Sequence, residues 1–218
     1  MYYKGMETKQ SIYEVAKKLF YEFGYQKTTI RLIAKEANIP MGLIPYHFKN
    51  KDNIVQKIYT DYINEIFKLI DFETKDNIKS YLLRQVIGLR IYYNNILVNE
   101  NNSKFHHELT LKQSNYNILF DNVEKGYKEM LDEFNIFIPR QEYIGYITAE
   151  FGARQELLLR YYSGDLNCSI QELVDVIACI APRLFQVEHN IVNSILFNSH
   201  SIFKGLDETK VNEVKFLI

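Results

Sequence analysis

The residues best equipped for chemistry crowd into one short stretch, IPMGLIPYHFKNKD, residues 39–52. Tyr46 and His47 can donate and accept hydrogen bonds, Lys49 and Lys51 carry positive charge, and Pro40 and Pro45 punctuate the backbone. Such a set suits gripping an anion and reading hydrogen-bond donors and acceptors. Charge distribution points the same way. Residues 1–51 hold nine Lys/Arg against four Asp/Glu, while the remainder holds 17 against 23, so a basic head sits on an acidic body. A basic head is suited to meeting an anionic partner.

The other reactive side chains offer less. There is no glycine-rich phosphate loop, nucleophile motif or metal-ligand constellation, so neither an enzyme nor a cofactor is expected. His106 and His107 are adjacent and diverge on a helix, whereas helical metal ligands stand four apart, so they read as polar surface or pocket contacts and no metal site is expected. Cys168 and Cys179 read as free thiols. Arg154 and Glu156 read as a solvated face, with a ligand's charged partner as the alternative. No apolar run approaches twenty residues and the first ten residues are polar, so a cytoplasmic location with no membrane contact is expected.

Helices must position these groups. Ile12, Val15, Ala16, Leu19, Phe20 and Phe23 form the one-sided stripe of an amphipathic helix, and Gly24 suits a left-handed cap after it. Thr28 or Thr29 can cap a second helix striped by Ile30, Ile33, Ala34 and Ala37. Asn38 tolerates a left-handed turn, and Pro40 fits the first turn of a third helix. Ala34, Asn38 and Ile44 then have the spacing of a helix-turn-helix: a small contact, a turn former and an anchor. The same spacing also suits a plain three-helix bundle.

The order of Ala16, Leu19, Phe20, Gly24, Tyr25, Thr28, Thr29, Ile33-Ala34, Ala37, Ile39, Gly42, His47-Phe48 and Lys51-Asp52 resembles the N-terminal domain of the tetracycline-repressor (TetR) family of bacterial regulators. The resemblance spans residues 12–59. It implies that Thr29 and Arg31 contact the DNA backbone. Met41, Gly42, Leu43, Tyr46 and His47 would face the major groove, and Lys51 would pair with a phosphate. Pro45 departs from the family, which usually has a phosphate-binding tyrosine there. A helix beginning at Pro40 would also lose the bond from residue 45 to the Met41 carbonyl. Tyr46 could take over the phosphate contact.

The body reads as helices over about 52–71, 77–99, 104–113, 116–134, 141–163, 169–186 and 187–204, with NENNSK, residues 99–104, as a loop. Ser169 and Glu172 form a capping box, and Pro182 should kink or end its helix. Gly145, Ala149 and Gly152 give the 141–163 helix a small-residue face. The resemblance implies a homodimer through 141–163 and 169–186, and a small-molecule pocket among the helices of 77–163. Tyr92, Tyr93, Phe105, Phe120, Tyr127, Tyr146 and Phe151 are its aromatic candidates, with plain core packing as the alternative for most of them.

The expected fold is all-α: a three-helix helix-turn-helix head, residues 1–51, and a larger helical body, residues 52–218, for effector binding and dimerisation. The expected function is a ligand-responsive DNA-binding regulator, a repressor released from a palindromic double-stranded operator by an unidentified small-molecule effector. The apolar tip of Met41 and Leu43, with Pro45, leaves a second reading: the same fold acting through a protein partner.

Overall fold

The computed structural model describes residues 2–112 and 115–218, and among these the chain is all helix and connection, without a strand. The order is α1 Tyr2–Lys27, α2 Ile30–Glu36, α3 Leu43–Phe48, α4 Lys51–Thr74, α5 Tyr81–Leu97, α6 Glu100–Thr110, α7 Asn115–Glu133, α8 Arg140–Ser163, α9 Ile170–Leu184, α10 His189–Gly205 and α11 Glu208–Glu213.

Local chemistry accounts for most helix starts. Thr29, Asn50, Ser80 and Asn99 each accept the backbone N–H three residues ahead. Ser169 and Glu172 close the capping box, satisfying N–H groups that have no partner within the helix. Asn99 overturns the expected loop. It caps α6, so Glu100–Lys104 are helical. Gly24 breaks α1 at φ 82° and ψ 178°, an extended mirror-image conformation and not the expected left-handed cap. Only glycine takes it readily, and the Glu108 carboxylate of α6 comes up against the bare Cα. Pro182 lies in the last turn of α9, which ends two residues later at Leu184.

One apolar cluster holds α1–α3 to the body. Ile12, Ala16, Phe20, Ile33 and Ile44 are fully buried and continue into Ile54, Val55, Tyr59, Ile91 and Phe105. Phe216, close to the chain end, packs its ring against Tyr59, Tyr62 and Phe105. α5 is the central post, touching α4, α6, α7, α9, α10 and α11. The segment after residue 187 therefore belongs to the body, with α10 lying along α5. Arg90 ties three helices together from the inside. Fully buried on α5, it donates to Gln171 and Asp175 of α9 and to Ser199 and the Leu196 carbonyl of α10.

Candidate nucleic-acid interface and effector cavity

The turn between α2 and α3 follows from Asn38. Its φ of 52° lets the Ile39 N–H return to the Ala34 carbonyl at 3.0 Å, while Asn38 N–H reaches the Lys35 carbonyl at 3.1 Å. Both bonds satisfy carbonyls at the end of α2. Pro40 opens a turn and not the helix: Leu43 N–H bonds its carbonyl, and Ile44 N–H bonds that of Met41. α3 starts at Leu43, so Pro45 is its third residue. An N–H there would have no partner within the helix. The expected loss of a bond to Met41 therefore does not arise.

α3 presents two faces. Ile44 and Phe48 are buried and fix it to the core. Met41, Leu43 and Tyr46 are exposed, Tyr46 to 81%. Gly42 is exposed and His47 half-buried, with the His47 ring edge-on to Tyr46 at 4.9 Å. Thr29 and Arg31, at the start of α2, are exposed too. Lys51 is placed differently from expectation. Its ammonium donates to the Tyr25 and Thr28 carbonyls, both at 2.8 Å, and lies 3.7 Å from the centre of the Tyr25 ring. Burial, then the neighbouring Lys112, pull its pKa down. Two of its three N–H donors are thus spent on the α1–α2 connection.

Behind this face, α6 grips the end of α1. The Gln26 N–H donates to Glu108 Oε2 at 2.7 Å. Lys112 donates to both oxygens of Asp52 at 2.8 Å and to the Tyr25 hydroxyl at 2.6 Å. Burial opposes the Asp52 charge, but the bonds from Lys112 and Tyr25 outweigh it and its pKa falls. α8 reaches the same place: Gln155 donates to the Thr110 carbonyl at 2.7 Å, and Tyr162 Oη lies 2.6 Å from His106 Nδ1. His106 is buried, neither at the surface nor in the cavity as expected. Burial first, then His107 and Arg154, lower its pKa to about 3. Burial thus favours the neutral ring, whose Nδ1 shares one hydrogen bond with the Tyr162 hydroxyl.

A cavity of about 740 Å³ lies between α4, α5, α7, α8 and α9. Of the seven aromatic candidates, Tyr92 and Tyr127 line it. The other five lie elsewhere. Tyr93 is buried beside Tyr92 and His106, and Phe105 fills the head–body junction against Phe20. Phe151 lies near the Arg154 guanidinium, and Tyr146 turns to Phe185 and Glu142. Phe120 is half-buried against the second apolar cluster. In closely packed helices most rings serve as core filler.

Arg154 corrects a further expectation. It is not on a solvated face but pairs inside with Glu150, which is 1% exposed, and donates to the Tyr127 hydroxyl at 3.0 Å. Burial opposes its charge, but the Glu150 carboxylate raises its pKa regardless. Glu156 is on the surface with Arg160. On the outer side of α8, Gly145, Ala149 and Gly152 are all exposed, with Ile144 beside them. Cys168 and Cys179 are free thiols.

Residues 12–58 match the family model for bacterial regulatory proteins of the tetR family. The HTH-type transcriptional regulator YhgD of Bacillus subtilis (strain 168) is 39% identical over 67 residues, 31% of this chain and 35% of that one. The HTH-type transcriptional regulator SAB2452 of Staphylococcus aureus (strain bovine RF122 / ET3-1) is 30% identical over 143 residues, 61% of this chain and 74% of that one. The chain belongs to the tetR family. The crystal structure of RolR with its ligand resorcinol superposes with a TM-score of 0.58 at 15% identity, over 90% of this chain and 96% of that one, and so shares the fold. As a tetR-family protein, the chain is a helix-turn-helix transcriptional regulator, and the relatives' names do not favour the protein-partner reading. Among the described residues no helix is long and apolar enough to cross a membrane.

Glu150 and Arg154 stand at i, i+4 with the acid first, the spacing of a helical ion pair. That signal was legible. What it did not reveal was that the pair faces inward. Glu108 and Lys112 share the same spacing on one face and its continuation, but their partners are 82 and 60 residues away.

Proposed function

We propose that the chain works as a cytoplasmic homodimer that binds a palindromic double-stranded DNA operator and represses transcription until a small molecule enters the cavity. The observation that carries this reading is the exposed face of α3 on a basic head whose anchors are buried. A helix held from behind and bare in front can enter a major groove. With the head taken as residues 1–51, Thr29 and Arg31 hold backbone phosphates. Met41 and Leu43 touch thymine methyl groups, Gly42 allows close approach, and Tyr46 and His47 supply the polar contacts. Tyr46 replaces the phosphate contact that Pro45 cannot make. Lys51 shapes the head from within and offers its one remaining N–H to phosphate.

Dimerisation uses the outer side of α8, where Gly145, Ala149 and Gly152 let a partner backbone come close, with α9 adding the exposed Val176. Two heads then read two half-sites. Release follows a continuous set of contacts. A ligand that moves Arg154 moves α8, whose Gln155 holds the Thr110 carbonyl of α6. Glu108 and Lys112, on and just after α6, hold Gln26, Tyr25 and Asp52 of the head. The ligand shifts the heads by no more than its difference in affinity for the two arrangements.

Genomic fragments captured on the full chain at two salt concentrations test the reading. Enrichment of one inverted-repeat sequence, with affinity falling steeply as salt rises, is expected. Uniform recovery of all fragments, or none, would overturn it.

A further inference from the structure

One atom of the cavity is left over by the contacts described so far. Glu150 is buried on the cavity wall, and its Oε1 takes the Arg154 guanidinium, through Nε at 2.7 Å and through a closer Nη2 contact. The second oxygen, Oε2, is buried without a hydrogen-bond partner. A carboxylate oxygen kept from water and left unpaired is costly, and a donor that reaches it is correspondingly favoured. Burial, and the Glu150 carboxylate with it, hold the Tyr127 proton in place, so this phenol is the internal competitor for Oε2.

The rest of the wall decides what should carry the donor. Val86, Leu89, Met130 and Ile177 are apolar. Glu150 and Arg154 cancel in charge, as do Arg84 and its partner Asp71. Lys125 and Glu129, a turn apart on α7, also line it with opposite charges, so with Asp71 counted the wall carries no net charge to draw an ion. A ligand cation would have to share Glu150 with Arg154, and a ligand carboxylate would have to draw Arg154 away from it. The volume of about 740 Å³ is that of a small-molecule site.

We propose that the cavity takes an uncharged, mostly apolar molecule whose hydroxyl, phenolic or alcoholic, donates a hydrogen bond to Oε2 of Glu150. This rests on the reading of the cavity as the effector site.

The chain has no tryptophan, so Phe67→Trp on the cavity wall gives the full-length protein a single fluorophore that reports binding without DNA. The probes are para-propylphenol, its isostere para-propyltoluene, para-propylbenzoate and para-propylbenzylammonium. The phenol should bind at least about fivefold more tightly than the toluene and more tightly than either ion. In the Phe67→Trp, Tyr127→Phe double variant, which removes the internal competitor, that preference should persist or grow. Equal or tighter binding of the toluene overturns the proposal. So do a preference for either ion, loss of the preference in the double variant, or no response to any probe. Operator release is measured separately. A phenol that binds with the expected preference but leaves the operator occupied would sink the effector reading and leave the ligand chemistry standing.

Discussion

α3 and α8 both turn apolar residues to the core, but α8 buries an ion pair among them and α3 does not. α3 turns Ile44 and Phe48 inward and leaves Leu43, Tyr46 and the neighbouring Met41 outside. α8 turns Glu150, Arg154 and the phenol of Tyr162 inward, where they meet Tyr127 and His106, and exposes Ile144, Gly145, Ala149 and Gly152. α8 thus holds one ion pair within an otherwise apolar inner face and a small-residue patch among charges on its outer side, the arrangement that the proposed ligand and partner helix would each use. A helix of the α3 kind requires neither. Substitutions inside α8 should therefore act on stability, and those outside α3 on binding.

The largest effect should come from Arg154→Ala. It leaves the Glu150 carboxylate buried and uncompensated, a loss of about 3 kcal/mol. Urea unfolding of the wild-type and variant chains measures it. A change within about 0.5 kcal/mol, the range of ordinary surface substitutions, would mean that the inner face of α8 is no more sensitive than the outer face of α3.

His106, held by Tyr162 of α8, sharpens the comparison through pH. Its folded pKa of about 3 lies below the ordinary histidine value of 6.5. Between those values the unfolded chain binds the proton and the folded chain does not. The stabilisation is thus complete above the unfolded pKa and declines as pH falls towards 3. The expected slope is up to about 1.4 kcal/mol per pH unit. Asp52, whose pKa is also depressed, loses its contribution only at more acidic pH, so the two are separable. His106→Gln should flatten the profile between pH 6 and 5, which urea midpoints across that range will show (about pH 6 to about pH 5, below the usual histidine value).

This contrast also marks what could be read from the sequence. Thr29, Asn50, Ser169 and Glu172 announce their helices because a cap is decided within three residues. Asn38 announces the turn because few residues accept its φ. The head was legible for the same reason: its anchors and its face lie within one short segment. Which of the seven rings would line the cavity and which, like Tyr93 and Phe105, would be plain core was not legible, because what surrounds a ring is set by helices far away in the chain. Asn99 misled, since an asparagine-rich run suits both a loop and a cap. Arg154 misled because it was read with Glu156, which is on the surface, whereas its partner is Glu150 one turn earlier on the inner face.

On the outer face of α3, Tyr46→Phe should weaken operator binding about tenfold, the loss of one hydrogen bond to a charged phosphate. Folding stability should stay within about 0.5 kcal/mol, because Tyr46 is 81% exposed. Anisotropy titrations with the captured operator measure the first and urea unfolding the second. Unchanged affinity would remove Tyr46 from the interface. A large stability loss would make α3 resemble α8.

Pro45 gives the smallest effect and the most exacting one. If the helix began at Pro40, Pro45 would be interior, and Pro45→Ala would restore a hydrogen bond and stabilise the fold by about 3 kcal/mol. With the helix beginning at Leu43, residue 45 has no intrahelical acceptor to recover. Alanine then gains little in the folded state, while the unfolded chain regains the freedom that proline denied it. The expected result is a destabilisation of less than about 1 kcal/mol. The sign of this change, read from paired urea curves, distinguishes the two helix starts. It therefore also tells whether the face bearing Tyr46 and His47 is an unstrained surface, open to substitution, or one held against a broken turn.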